Sequence, residues 1–596
     1  MKTMKNNPVT RRLVLVLLLL LTADVMQAQT QNVLRRWVNE QELTPEEKNY
    51  FDASPVQKNA SAWKIAELDF DVNSEVFLLS LPDGSGIELI SQRVKHYHGD
   101  AATWRGQSAD GKSSGTITVH RGQLTARISP DPKTVWMILP VSQQRHIIYR
   151  VDASKAQKEE SPQQYARMLD GPAAGSERVR KEEPGEVLGD GLLGDDCYVR
   201  ILVGFESGIN LADPVGFAIE CIELSNTIYA NSQINFEAEL AVARVYPQNA
   251  SSDIDEALFQ WQVDEPFDNS FNEVFSDREQ YDADFCILVV NDFTGDYVGL
   301  AATILASYSS AFCVVESGAA LDNLSFTHEI GHLMGARHDE YVDDSGDYNH
   351  GYIIHSEEVR TVMAYNDECE DNGYDCDRVE YFSTPDVTYL GTGKVLGTAE
   401  TEHNERALDE NESEFADFEP VVSDKLFSFP EFVDEEMFAS VTALSSIDHL
   451  AQYEVTGGAT VVWSAGSDLY LEPGFFVAQG STFEGKIAGC NASRMGEESG
   501  TEAAEAVGVE GISAEIFPNP AAGETKLSLE LSRDTEVTIN WRDMAGRLLL
   551  ELAQAEYRPA GLHEFHLHLE DITPGVYFFE IRVTGGQLVK KLVVQQ

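Results

Sequence analysis

His328-Glu329-Ile330-Gly331-His332-Leu333-Met334-Gly335-Ala336-Arg337-His338-Asp339 decides how this 596-residue chain is read. His328 and His332 are four apart, so a helix puts both imidazoles on one face, one turn above the other. Glu329 leans toward the same edge. Gly335 can take a positive φ, which lets the helix stop and the chain swing round. His338 then returns to the same point in space. Three neutral imidazoles leave the fourth corner of a tetrahedral Zn²⁺ open to water. Zn²⁺ lowers the pKa of that water toward ~7 and polarises a peptide carbonyl. Glu329 is placed to act as general base on the zinc-bound water and to pass its proton to a leaving amine. Gly335 and His338 at fixed offsets make a chance match roughly several hundred-fold rarer than a bare HExxH.

Around this stretch, residues 195–420 alternate strands and helices. Strands are predicted at 198–205, 236–245, 285–290 and 312–316. Helices are predicted at 213–230, 324–334 and 402–418. Residues 29–155 carry short apolar or alternating runs divided by turn signals, a β-rich unit. Residues 153–196 are linker-like in composition, with a basic cluster, Arg178-Val179-Arg180-Lys181, that suits a processing protease or is a solvated charge run. Residues 430–490 form a smaller β module, 491–513 a second linker, and 514–596 a last unit of short strands with Gly and Pro turns, suggesting a β-sandwich. At the N-terminus, Lys2, Lys5, Arg11 and Arg12 precede the apolar residues 13–21, and Ala28 offers a small residue for cleavage. Residues 1–28 are therefore predicted to be a secretory signal, too short for a membrane span. No later stretch is long and apolar enough to cross a membrane.

Lys plus Arg total 43 and Asp plus Glu 99, a formal charge of −56. Such a surface repels phosphate backbones and argues against a nucleic-acid partner. Seven cysteines are too few for a disulfide-built scaffold of this length. Six of them, Cys197, Cys221, Cys286, Cys313, Cys369 and Cys376, fall within 195–420, and Cys490 lies outside. Cys369 with Cys376 is the best local pair. Cys286 and Cys313 either join neighbouring strands or stay buried thiols.

HExxHxxGxxH and the downstream Arg360-Thr361-Val362-Met363-Ala364-Tyr365 resemble the metzincin metalloproteases. Asp339 after the third His, the stretch 225–247 and the stretch YFSTPDVTYLGTGKVLGT resemble the reprolysin (adamalysin)-like branch. The resemblance implies an α/β domain whose twisted mixed sheet carries the zinc helix, with a β-rich propeptide before it and all-β modules after it. It implies His328, His332 and His338 as Zn²⁺ ligands and Met363 as the Met-turn floor beneath the metal. Tyr365 is spaced like the Met-turn tyrosine of astacins and serralysins; it steadies the transition state or simply packs. A substrate would run antiparallel to the edge strand before the zinc helix, a place that falls to residues 312–316 in this sequence. The segment before residue 195 contains no cysteine, so a thiolate-on-zinc latency switch is impossible. An Asp or a His of the propeptide, His96 and His98 among them, or steric blockage must serve instead. Asp367, Glu368 and Asp371 could hold Ca²⁺.

The C-terminal 83 residues resemble the type IX secretion sorting domain of Bacteroidota, through Phe517-Pro518-Asn519-Pro520, Asp543 to Gly546, Thr573-Pro574-Gly575-Val576-Tyr577 and Lys590-Lys591-Leu592-Val593-Val594. That implies secretion or display on the outer surface, via the periplasm, with the type IX machinery as a partner. The expectation is a secreted zinc endopeptidase acting on extracellular proteins or peptides, made as a latent precursor. The alternative is a cell-surface adhesion or binding protein that keeps an inactive metzincin scaffold.

Overall fold

The computed structural model describes residues 30–594, except 99–100, 153–154, 156, 171–198, 264–270, 488–511 and short stretches between 417 and 585. The expected signal segment, the basic cluster at 178–181, Cys197 and Cys490 lie outside the described residues. The chain divides into two compact units. One runs to Tyr470 and includes Phe476–Ala492; the other holds Leu471–Phe475 and Ser493–Gln596.

The first unit begins with a ten-stranded sheet over residues 30–151. Its strands alternate, and one face supplies a core of Phe77, Leu89, Trp104, Ile117, Ile128 and Trp136. His146 in this sheet is wholly buried, and its Nε2 accepts from Leu124 N at 2.9 Å. Burial pushes its pKa down to about 3. The unfolded chain therefore takes up a proton near pH 6.5 that the folded one refuses. Stability from this residue is complete above pH 6.5 and is lost as pH falls toward 3. Between pH 7 and 5 the loss is about 2 kcal/mol. Urea melts should show that His146→Gln loses less stability over this range than the wild type. Equal losses would remove His146 as the cause.

The central sheet has eight strands. Their order is Gly299–Ala301, Phe312–Glu316, Phe285–Val290, Val199–Phe205, Ala238–Val245, Met437–Ala443, Thr460–Ala465 and Thr482–Ile487. The second to fifth are parallel, and the first is antiparallel to its neighbour. These middle strands are buried on both faces, which explains their unbroken apolar runs. The predicted helices are Pro214–Asn231, Ser325–Leu333 and Asn404–Phe415. Helices Ile254–Gln262 and Glu273–Gln280 add to those predicted.

Two features differ from expectation, and a third settles an open alternative. The edge strand is Gly299–Ala301, not 312–316; three residues are too few to show a strand pattern in sequence. The stretch expected as a small β module is a coil with a repeat of about 22 residues, one side of which, Met437–Ala443 with Thr460–Ala465 and Thr482–Ile487, continues the central sheet. Cys286 and Cys313 are free thiols. Register pairs Cys286 with Phe312 and Ile287 with Cys313, so the two sulfurs lie on opposite sheet faces.

Helix Pro214–Asn231 packs against the central sheet and also against the first sheet's strands Ser114–His120 and Gln123–Asp131. Its polar outer side is paired with them: Thr118 Oγ1 donates to Glu220 at 2.7 Å, and Lys95 Nζ donates to Glu223 at 3.1 Å. His120 Nδ1 lies 2.7 Å from Asp213.

In the second unit, residues 512–594 form a three-stranded and a four-stranded antiparallel sheet. Leu527 and Leu529 of one and Val537, Ile539 and Phe579 of the other share a buried cluster.

Candidate metal centre

His328, Glu329 and His332 stand on helix Ser325–Leu333, wholly buried. The helix ends at Met334, Gly335 takes φ +97°, and the chain turns back so that His338 faces the other two. His338 Nε2 lies 3.1 Å from His332 Nε2 and 3.2 Å from His328 Nε2. His328 Nδ1 donates to Val362 O at 3.0 Å, and His332 Nδ1 donates to Ala336 O at 2.9 Å. With their protons spent there, the Nε2 atoms present bare lone pairs to one another. Such nitrogens repel unless a cation lies between them. Tetrahedral zinc at ~2.05 Å from each nitrogen needs a nitrogen spacing of about 3.3 Å, close to what is seen. The residues therefore fit a zinc ion.

Met363 is fully buried beneath the helix, and a Cβ on Gly331 would lie 2.7 Å from its sulfur. Tyr365 is buried with its ring centroid 4.1 Å from that of His338. Its hydroxyl accepts from Glu160 N at 3.3 Å. Asp339 ties the turn together: its Oδ2 accepts from Tyr365 N at 2.8 Å. Glu329 reaches toward the edge strand, where a Cβ on Gly299 would meet its Oε1 at 2.4 Å. No side chain among the described residues bonds either Glu329 oxygen, and the backbone N–H of Ala301 faces its carboxylate. Burial, then the carboxylates of Glu160 and Glu159, pushes its pKa well above the usual range.

One member of the cluster carries no signal in the sequence. Glu160 joins His328, His332 and His338, all ligand atoms lying within 4.8 Å of one another. Its Oε1 is 2.9 Å from His338 Nε2 and 3.5 Å from His332 Nε2. The composition of residues 153–196 predicts a linker. Instead Glu159 and Glu160 are fully buried, and helix Pro162–Asp170 follows. The ring of Tyr165 stacks on His338 at 4.1 Å. Glu159 is bound by Arg378 on both oxygens. Burial alone would raise its pKa, but the Arg378 guanidinium brings it to about 2. The only hint is a carboxylate pair in a segment that, before residue 195, holds no cysteine; nothing in its spacing marks it. His96, by contrast, is exposed on strand Gly86–His98 and is not in the cluster.

Cys369 and Cys376 are bonded. The residues expected to share Ca²⁺ have separate partners. Lys158 Nζ donates to Asp367 at 2.6 Å, Glu368 faces His355 Nε2 at 3.3 Å, and Tyr341 donates to Asp371. They form no converging group among the described residues.

Residues 204–383 match the model of metallopeptidase family M12, and residues 515–595 that of the secretion system C-terminal sorting domain. A peptidyl-Asp metalloendopeptidase of Stenotrophomonas maltophilia (strain K279a) is 30% identical over 354 residues, 57% of this chain and 78% of that one. The chain belongs to metallopeptidase family M12. A second relative of the same name, from Xanthomonas campestris pv. campestris, is 26% identical over 56% of this chain and 80% of its own. Among solved structures, a chaperone-substrate complex overlaps 52% of this chain and 40% of its own at 16% identity, with a TM-score of 0.30. The M12 chain is a metalloendopeptidase of the reprolysin type that ends in a type IX sorting domain. No helix among the described residues is long and apolar enough to cross a membrane.

Proposed function

We propose that this M12 peptidase is a secreted zinc endopeptidase, made as a latent precursor, that cleaves extracellular proteins beside aspartate. The observation that carries the reading is the convergence of the Nε2 atoms of His328, His332 and His338, with Glu329 on the same helix. The aspartate preference comes from the relatives' printed names.

When bound, zinc supplies Lewis acidity, lowering the pKa of a coordinated water and polarising the peptide carbonyl. His328 and His332 are locked by their Nδ1 bonds to main-chain carbonyls, so they need no reorganisation to bind. Glu329 takes a proton at its carboxylate and returns it to the leaving nitrogen. Tyr365, held by Asp339, offers its hydroxyl to the developing oxyanion. Edge strand Gly299–Ala301 offers main-chain donors and acceptors to an extended substrate, giving affinity with little sequence preference of its own. Export runs through the periplasm, with the sorting domain as the address.

The test is chelation. Phenanthroline should abolish cleavage of casein by the processed protein, and Zn²⁺ should restore it. Cleavage indifferent to the chelator would defeat the zinc reading and favour a scaffold that only binds.

A further inference from the structure

The segment before helix Pro162–Asp170 passes the metal centre, with Lys158 bridged to Tyr297 just ahead of the edge strand and Glu159 and Glu160 in a bend. Val298 N donates to Lys158 O at 3.0 Å, and Gly299 N donates to Glu159 O at 3.0 Å. The pairing is parallel to the edge strand, opposite to the direction expected of a substrate. A reversed chain can fill substrate subsites while its own peptide bonds lie wrongly for attack.

Two consecutive side chains fill two places. Glu160 points its Oε1 at the fourth corner of the three-imidazole cluster. Glu159 turns into a closed recess whose donors all suit a carboxylate. Arg378 grips both of its oxygens, Nη2 at 3.2 Å from Oε2. Asn323 Nδ2 donates to Oε1 at 2.9 Å and Ser325 Oγ at 3.0 Å. Arg378 is itself fixed: Nη1 also donates to Asn323 O at 2.8 Å, and the Cys369–Cys376 bond closes the loop just before it. Asn323 and Ser325 lead directly into the helix that bears His328, so the recess lies beside the metal corner.

A buried guanidinium is costly without its anion. When this segment leaves, the fixed, forked donor set of Arg378, Asn323 and Ser325 loses the carboxylate of Glu159 that all three now bind. We propose that Arg378, with Asn323 and Ser325, selects an acidic side chain next to the scissile bond, and that in the precursor Glu159 fills this recess while Glu160 closes the metal's open corner. The proposal rests on the peptidase reading above. The prosegment is then an acidic plug that imitates the preferred substrate at the recess and excludes it at the metal.

Two measurements on the full chain test this. The first reads no activity. Zinc is stripped from the unprocessed precursor by phenanthroline, with circular dichroism as a check of fold. Glu160→Gln should strip at least about tenfold faster than the wild type. Glu159→Gln and Arg378→Gln should each speed stripping, and the double variant should be no faster than either alone, because both remove one interaction. Wild-type rates in Glu159→Gln and Glu160→Gln, or additive effects in the pair, would overturn the plug. The second reads specificity in the whole chain nicked within 171–198. Peptides differing only in Asp or Asn at the flanking position should differ by about 100-fold in kcat/KM. Arg378→Gln should cut that ratio below about tenfold by losing the Asp peptide alone. An unchanged ratio, or equal losses on both peptides, would overturn the assignment of Arg378. If the peptidase reading itself failed, neither peptide would be cut in a chelator-sensitive way, while the stripping rates would still report on Glu159 and Glu160.

Discussion

Glu329→Gln is expected to lower kcat for peptide cleavage by about 10⁴-fold, with fold and metal content unchanged. That is about 5 kcal/mol of barrier. The amide keeps the shape of the side chain but cannot accept and return a proton. Position supports a local effect: Glu329 reaches the edge strand, and its carboxylate faces the backbone N–H of Ala301. The amide oxygen of Gln can still accept from that N–H, so the variant keeps the local structure. His328 and His332 keep their main-chain anchors, so zinc should stay, which metal analysis of the purified protein can check. The assay should use protein processed in the linker, because Glu160 lies against the imidazoles in the precursor. A variant retaining more than a tenth of wild-type kcat would assign the base to another residue.

Trp261→Ala is expected to destabilise the first unit by about 4 kcal/mol. Trp261 is fully buried on helix Ile254–Gln262, and its Nε1 donates to Cys286 O at 3.0 Å. Its ring meets Tyr246, Phe271 and Phe312 edge to face, with centroids 5.6, 5.4 and 6.5 Å away. The sheet makes room for it at Gly204, where a Cβ would lie 2.4 Å from Trp261 Cη2. Truncation leaves a large cavity between helix and sheet and removes the indole hydrogen bond to Cys286 O. Because the cavity adjoins Phe312, the strand next to the edge loses its support. Denaturant melts of the full chain should show the shift in the transition of this unit; a loss under about 1 kcal/mol would mean that the ring's packing contributes little.

Parts of the site are legible in sequence because they are local. Helical geometry alone puts His328 and His332 on one face, and Gly335 alone permits the turn that brings His338 back. The disulfide joins cysteines only seven residues apart, so chain proximity suffices. The edge strand is not legible, because a three-residue strand has no periodicity and exists only through its pairing with Phe312–Glu316. Nor is the continuation of the central sheet by Met437–Ala443, since alternation shows that a strand exists but not which strand it joins. Cys286 and Cys313 stand on neighbouring strands but on opposite faces, which only register decides.

The sequence by itself supplied the candidate ligand chemistry: three imidazoles, a neighbouring carboxylate and no thiol before residue 195. Only tertiary structure decided what meets the fourth corner. Glu160 is 168 residues from His328 in the chain, and no local rule relates them. The fold brings them together by bridging the polar segment around Lys158 to the start of the edge strand, with Glu159 anchored on Arg378. A long-range contact of this kind depends on the shape of the whole unit, and a chain read residue by residue does not contain it.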